Sequence, residues 1–107
     1  MSDNHMTLDD FYHQHLKLSS EEIILDVRGV DEYAQGHIAN SVNIPLDQVM
    51  NKIEELRKYK KIYIHCKRGG RARTAFDALT HAGLNNLICI SDAGMDAWEQ
   101  RGYPVKR

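Results

Sequence analysis

A chain of 107 residues can bury one hydrophobic core but not two, so one domain is expected over residues 1–107, with 1–6 disordered. With 42% hydrophobic and 27% charged residues and a formal net charge of −1, it lacks the basic excess of nucleic-acid or membrane-surface binders. No apolar run nears the roughly 20 residues that span a bilayer, the N-terminus MSDNHMTLDDFYHQH has no signal-peptide pattern, and two cysteines make no disulfide framework. The expected setting is cytoplasmic, with reduced thiols, no membrane or nucleic-acid partner, no cofactor, and a monomeric state.

In chain order, TLDDFYHQHL puts Leu8, Phe11, Tyr12 and His15 on one helical face with Thr7 as N-cap. EIILDV reads as a buried strand near 23–27. Gly29 turns the chain into a short helix around 31–35, and an extended piece at 42–44 closes at Pro45. LDQVMNKIEELRKY spaces Leu46, Val49, Met50, Ile53 and Leu56 as an amphipathic helix over 46–59. KIYIH is the next strand. Ala72, Ala75, Phe76 and Leu79 mark a helix ended by Gly83, NLICIS a third apolar strand, and AGMDAWEQRGYP a last helix stopped by Gly102 and Pro104. Continuously apolar strands alternating with helices predict an α/β fold whose parallel sheet is covered on both faces. Ligands in such folds bind at the carboxyl ends of strands.

Cys66 stands at such an end, in IYIHCKRGGRART. Four of the fourteen basic residues, Lys67, Arg68, Arg71 and Arg73, crowd into seven positions beside it. Gly69 and Gly70 allow backbone conformations that turn successive N–H groups inward, and the following helix adds its positive N-terminal end. All of this favours thiolate over thiol, whereas an unperturbed cysteine is only about 3% ionised at pH 7. The pattern predicts a nucleophilic Cys66 acting on an anionic substrate. Cys89, among apolar neighbours, reads as core. His65 falls on the opposite strand face and reads as a hydrogen-bonded structural residue. The histidines show no metal-ligand spacing, so no metal is expected.

Three stretches together resemble the rhodanese family of sulfurtransferases: LDVRGVDEYAQGHIANSVNIP (25–45), the loop CKRGGR (66–71) and GMDAWEQRGYPV (94–105). The resemblance implies a central parallel sheet of about five strands flanked by helices on both faces, and catalysis without cofactor or metal. It implies that the Cys66 thiolate takes the outer sulfur of a donor such as thiosulfate and releases sulfite. The resulting persulfide then passes its sulfur to an acceptor: cyanide in the test tube, thiols or a protein in the cell. Lys67, Arg68 and Arg71, with the backbone of Gly69 and Gly70, would hold the anionic donor and the persulfide. Asp26 and Arg28 would form a supporting ion pair, Glu32 and His37 would pin the 29–41 segment, and Trp98 belongs to the core. Ala93 stands where the family often has glycine. Two rivals remain. A cysteine phosphatase or arsenate reductase needs an arginine six positions after the cysteine, which here is Ala72. A non-catalytic binding module of the same family often loses the cysteine that this chain keeps.

Overall fold

The computed structural model describes residues 4–107. Thr7 Oγ1 accepts a hydrogen bond from Asp10 N at 3.1 Å and so caps helix α1 (Leu8–Gln14), which buries Leu8 and Phe11. Strand β1 (Glu22–Asp26), helix α2 (Val30–Gln35) and strand β2 (Ser41–Asn43) follow. The residues expected to form one amphipathic helix divide instead into a 3₁₀ helix, Leu46–Lys52, and a single α-turn, α3 (Ile53–Leu56). Burial explains the correction. Within the 3₁₀ stretch the inward residues, Leu46 and Val49, stand three apart, as a three-per-turn helix serves, and Ile53 and Leu56 belong to the α-turn that follows. Met50, a core position on the α-helical reading, is 49% exposed.

Strand β3 (Lys61–His65), helix α4 (Gly70–His81), strand β4 (Leu87–Cys89) and helix α5 (Met95–Gln100) complete the chain order. Gly83, at φ +105°, adopts the left-handed conformation that ends α4.

The strands form one parallel sheet in the order β2-β1-β3-β4. That is four strands where the resemblance implies about five. The N-terminal segment reduces to one bridge beside β4: Cys89 N donates to Asn4 O at 2.7 Å and Met6 N to Cys89 O at 3.0 Å. Of the segment 1–6 expected to be disordered, these bonds place residues 4–6 beside β4, and residues 1–3 lie outside the described residues.

Alternation along the strands builds two cores. Leu25, Ile62 and Ile64 face α4 and the 3₁₀ segment, while Ile24 and Tyr63 face α1 and α5. Trp98, fully buried as expected, donates from Nε1 to Pro104 O at 2.7 Å. Tyr103 stacks on Tyr12 with ring centres 3.7 Å apart, and Asp9 Oδ1 accepts from Tyr103 Oη and Arg101 Nη1 at 2.7 and 2.8 Å. Because every strand runs the same way, the loops after β1, β2, β3 and β4 gather at one end of the sheet.

Candidate active site

Cys66 is the first residue beyond β3 and is 1% exposed. Its Sγ accepts two backbone hydrogen bonds, from Gly69 N at 3.1 Å and Ala72 N at 3.2 Å. Gly69 makes this wrap possible. Its φ is +113°, and a Cβ there would lie 2.2 Å from Ser91 O, so both conformation and space demand glycine. Among the described residues, the N–H groups of Arg68, Gly70 and Arg71 donate to no protein acceptor. They belong to the same loop and helix start as the two N–H groups bound to the sulfur, a run of backbone donors suited to negative charge.

The carbonyls of the same loop point the other way. Cys66 O accepts from Met95 N at 2.9 Å and Lys67 O from Asp96 N at 3.1 Å, both in the first turn of α5. The approach is close enough that a Cβ on Gly94 would sit 2.2 Å from Cys66 O and 2.5 Å from Lys67 C. The GMDAW stretch is thus the floor on which the cysteine loop rests. Its local pattern predicts a helix start, but its contact with residues 66–67 is invisible at that level.

The loop cations divide. Arg71 forms a two-pronged ion pair with Glu32, at 2.6 and 2.9 Å. Arg71 and the Gly29 N–H, which donates to Glu32 Oε1 at 2.9 Å, hold the Glu32 carboxyl at about 2 against the opposing effect of partial burial. Arg68 Nε reaches Asp96 Oδ2 at 3.0 Å, and Arg73 reaches Asp77 at 3.3 Å. Lys67 is exposed and has no ion-pair partner among the described residues. An open cavity of about 510 Å³ is lined by Cys66, Lys67, Arg68, Gly70, Arg71 and Thr74. A smaller one of about 170 Å³ lies between α2 and α5 and shares Lys67 with it.

Asp26 and Arg28 pair beneath this surface. Arg28 Nε lies 3.0 Å from both Asp26 oxygens and Nη2 is 2.8 Å from Oδ2; Nη2 also donates to Gly36 O at 2.8 Å. The pair therefore ties the end of β1 to the end of α2. Glu32 and His37 hold the same segment, His37 by stacking on Tyr33 with ring centres 3.9 Å apart.

His65 is fully buried on the face away from Cys66, but neither ring nitrogen is hydrogen-bonded, which corrects that part of the sequence expectation. Its Nε2 is 3.8 Å from Asp26 Oδ2. Burial pushes the imidazole below its ordinary value, with nearby Asp26 acting against this. Cys89 is fully buried, and burial pushes its thiol up. Ala72, six residues after Cys66, is fully buried in the core. Among the described residues no group of three or more His, Cys, Asp or Glu is placed to hold a metal ion, and no helix is long and apolar enough to cross a membrane.

The model of the rhodanese-like domain matches residues 10–101. Relatives include the "Putative sulfur carrier protein YrkF" of Bacillus subtilis, 37% identical over 84 residues that are 77% of this chain and 45% of that protein. This chain therefore spans less than half of that relative. A sulfurtransferase of Allochromatium vinosum is 26% identical over 92 residues, covering 86% of this chain and 85% of that one. In three dimensions the chain resembles the crystal structure of a rhodanese-related protein of Thermoplasma volcanium, with TM-score 0.81 and 32% identity over 96% of this chain and 97% of the other.

Proposed function

This chain belongs to the rhodanese-like domain family, and on that premise we propose that it is a sulfurtransferase that carries sulfane sulfur on Cys66. One observation supports the reading above the rest: Cys66 Sγ accepts from two backbone N–H groups, and three more N–H groups of the same loop have no protein acceptor among the described residues. Thiolate Sγ attacks the outer sulfur of a donor such as thiosulfate. The donor's S–S bond breaks and its electron pair leaves with sulfite. The enzyme retains Cys66–S–S⁻, whose terminal charge is met by the N–H groups of Arg68, Gly70 and Arg71. Lys67, exposed and uncommitted, draws the dianion to the mouth of the site, while Arg68 and Arg71 contribute from within their ion pairs. The acceptor then takes the outer sulfur and the Cys66 thiolate returns. Asp26 and Arg28 act as positioning residues by fixing the loop after β1 against α2. The domain works in the cytoplasm as a monomer under this reading.

Two features disfavour a phosphatase. The arginine position of its longer loop is the buried Ala72, and Ala72 N is already bound to Sγ. The test is intact mass after brief exposure to thiosulfate, beside Cys66→Ser. A gain of one sulfur atom in the parent alone, reversed by cyanide with thiocyanate formed, is the expected result. No gain in a reduced, folded protein overturns thiosulfate as donor.

A further inference from the structure

The cavity between α2 and α5 collects groups that sulfur transfer at Cys66 leaves idle. Arg28 is only 5% exposed, and its Nε and Nη2 are engaged by Asp26 and Gly36 O. Its Nη1 donates to nothing among the described residues, yet it is not sealed in the core, and Arg28 lines this cavity. A side chain buried to that degree, paired with Asp26 and still holding a spare donor on a residue that lines a pocket, offers a positioned hydrogen-bond donor for an anion rather than a solvated surface charge. Lys67, whose ammonium has no ion-pair partner among the described residues, lines the same pocket. On the α5 wall stands Glu99, exposed and without an ion-pair partner among the described residues, and the Gln35 amide completes the rim. The remaining carboxylates there, Glu32 and Asp96, are taken by Arg71 and Arg68. Among the described residues the uncommitted charges are thus one cation, Lys67, and one anion, Glu99, beside the spare Nη1 donor of the paired Arg28.

We propose that this cavity is the acceptor subsite for a small zwitterionic thiol, an α-amino acid thiol of cysteine's size. Its carboxylate meets Arg28 Nη1 and Lys67 Nζ, and its ammonium meets Glu99. Its sulfur reaches past Lys67, which lines both cavities, to the persulfide. A volume of about 170 Å³ suits a molecule of this size. The inference rests on the sulfurtransferase reading. The acceptor thiol gives its proton to the outer sulfur of Cys66–S–S⁻ and attacks that sulfur as thiolate, the Cys66 S–S bond breaks, and its electron pair returns to Cys66 as thiolate. The product is the acceptor persulfide R–S–SH, and no oxidant or reductant is consumed.

The experiment has two arms. In the first, the unloaded protein is titrated with L-serine, which carries the same head group without the thiol, and backbone amide NMR signals are followed. Saturable shifts at Gln35, Lys67 and Glu99 are expected; a silent spectrum up to high millimolar serine overturns the subsite whether or not thiosulfate loads Cys66. In the second, protein shown by mass to carry the persulfide is mixed with L-cysteine, 3-mercaptopropionate, cysteamine or 2-mercaptoethanol, and rates are normalised to thiolate. Cysteine should saturate and exceed 2-mercaptoethanol by about tenfold, a difference of about 1.4 kcal/mol. Gln35→Glu should slow the two carboxylate-bearing thiols, and Glu99→Gln the two ammonium-bearing thiols, several-fold each, with 2-mercaptoethanol unchanged. Equal normalised rates for all four thiols, or variants that alter all four alike, overturn the proposal. Failure of thiosulfate to load the cysteine instead counts against the function proposed above, and the serine titration still decides the subsite.

Discussion

Replacing Gly94 by alanine adds one methyl group at the point where α5 meets the cysteine loop. The position has φ −158°, an extended conformation any residue adopts, so the cost is steric and not conformational. The new Cβ would stand 2.2 Å from Cys66 O and 2.6 Å from Lys67 O, where ordinary contact begins near 3.4 Å. Loop and helix must therefore part by about 1 Å. That separation stretches the Met95 N–Cys66 O and Asp96 N–Lys67 O bonds, now 2.9 and 3.1 Å, beyond useful length. Two lost bonds at about 1 kcal/mol each and overpacking of about 1–3 kcal/mol give a destabilisation of about 3–5 kcal/mol. For a domain this size the melting temperature should fall by roughly 10–30 °C. The rate of Cys66 persulfide formation should drop by about 100-fold, since the nucleophile moves with its loop. Calorimetry and time-resolved intact mass read the two effects. Gly70→Ala is the control: no atom lies within 4 Å of its Cβ and its φ is not positive, so it should stabilise the first turn of α4 by about 0.5–1 kcal/mol. A Gly94→Ala protein that melts within about 3 °C of the parent and loads sulfur at the parental rate refutes the assignment of α5 as the loop's support.

Glu32→Gln removes the negative charge paired with Arg71 and one of its two acceptor oxygens, while its amide oxygen can still accept from Gly29 N. Glu32 has a folded-state value of about 2 against an ordinary 4.5, so its contribution is complete above pH 4.5 and fades as pH falls toward 2. Because both partners are about a third exposed, the loss at neutral pH should be about 1–2 kcal/mol in urea unfolding; equal stability of variant and parent at pH 7 contradicts it. His65 works over a different pH range. Its folded-state value is depressed by burial, so the unfolded chain takes up the proton first and stability falls as pH drops below about 6.5, by at most about 1.4 kcal/mol per pH unit. His65→Gln should flatten this acid slope, and unchanged pH dependence between parent and variant would sink the explanation. Finally, native protein treated with iodoacetamide should gain one adduct, at Cys66, which lines the open cavity and whose Sγ accepts two backbone hydrogen bonds, whereas burial pushes the Cys89 thiol up. Labelling of Cys89 at a comparable rate contradicts that burial.

Strands β1 and β3 are legible because their apolar runs are continuous and bounded by charge, as two-sided burial in a parallel sheet requires. The 46–59 segment misleads for a definable reason. Apolar residues at 46, 49, 50, 53 and 56 satisfy spacings of three and of four equally, and only packing against α4 decides that Met50 faces out. At the site, the chain's local order supplies the cysteine, the turn glycines and the density of cations. It does not supply what those cations are bound to. Glu32 lies 39 residues from Arg71, and Asp96 lies 28 from Arg68, so a loop that reads as a patch of bare positive charge is largely compensated in the fold. The missing hydrogen bonds of His65 have the same origin: a strand position predicts its face, not its neighbours.

Asp9 has one further consequence. It joins Arg101 and Tyr103 across 92 and 94 residues of chain, so helix α1 and the segment after α5 share one clasp. Loss of that single carboxylate would loosen both flanking segments at once, while the sheet and the cysteine loop stay tied by their own backbone bonds.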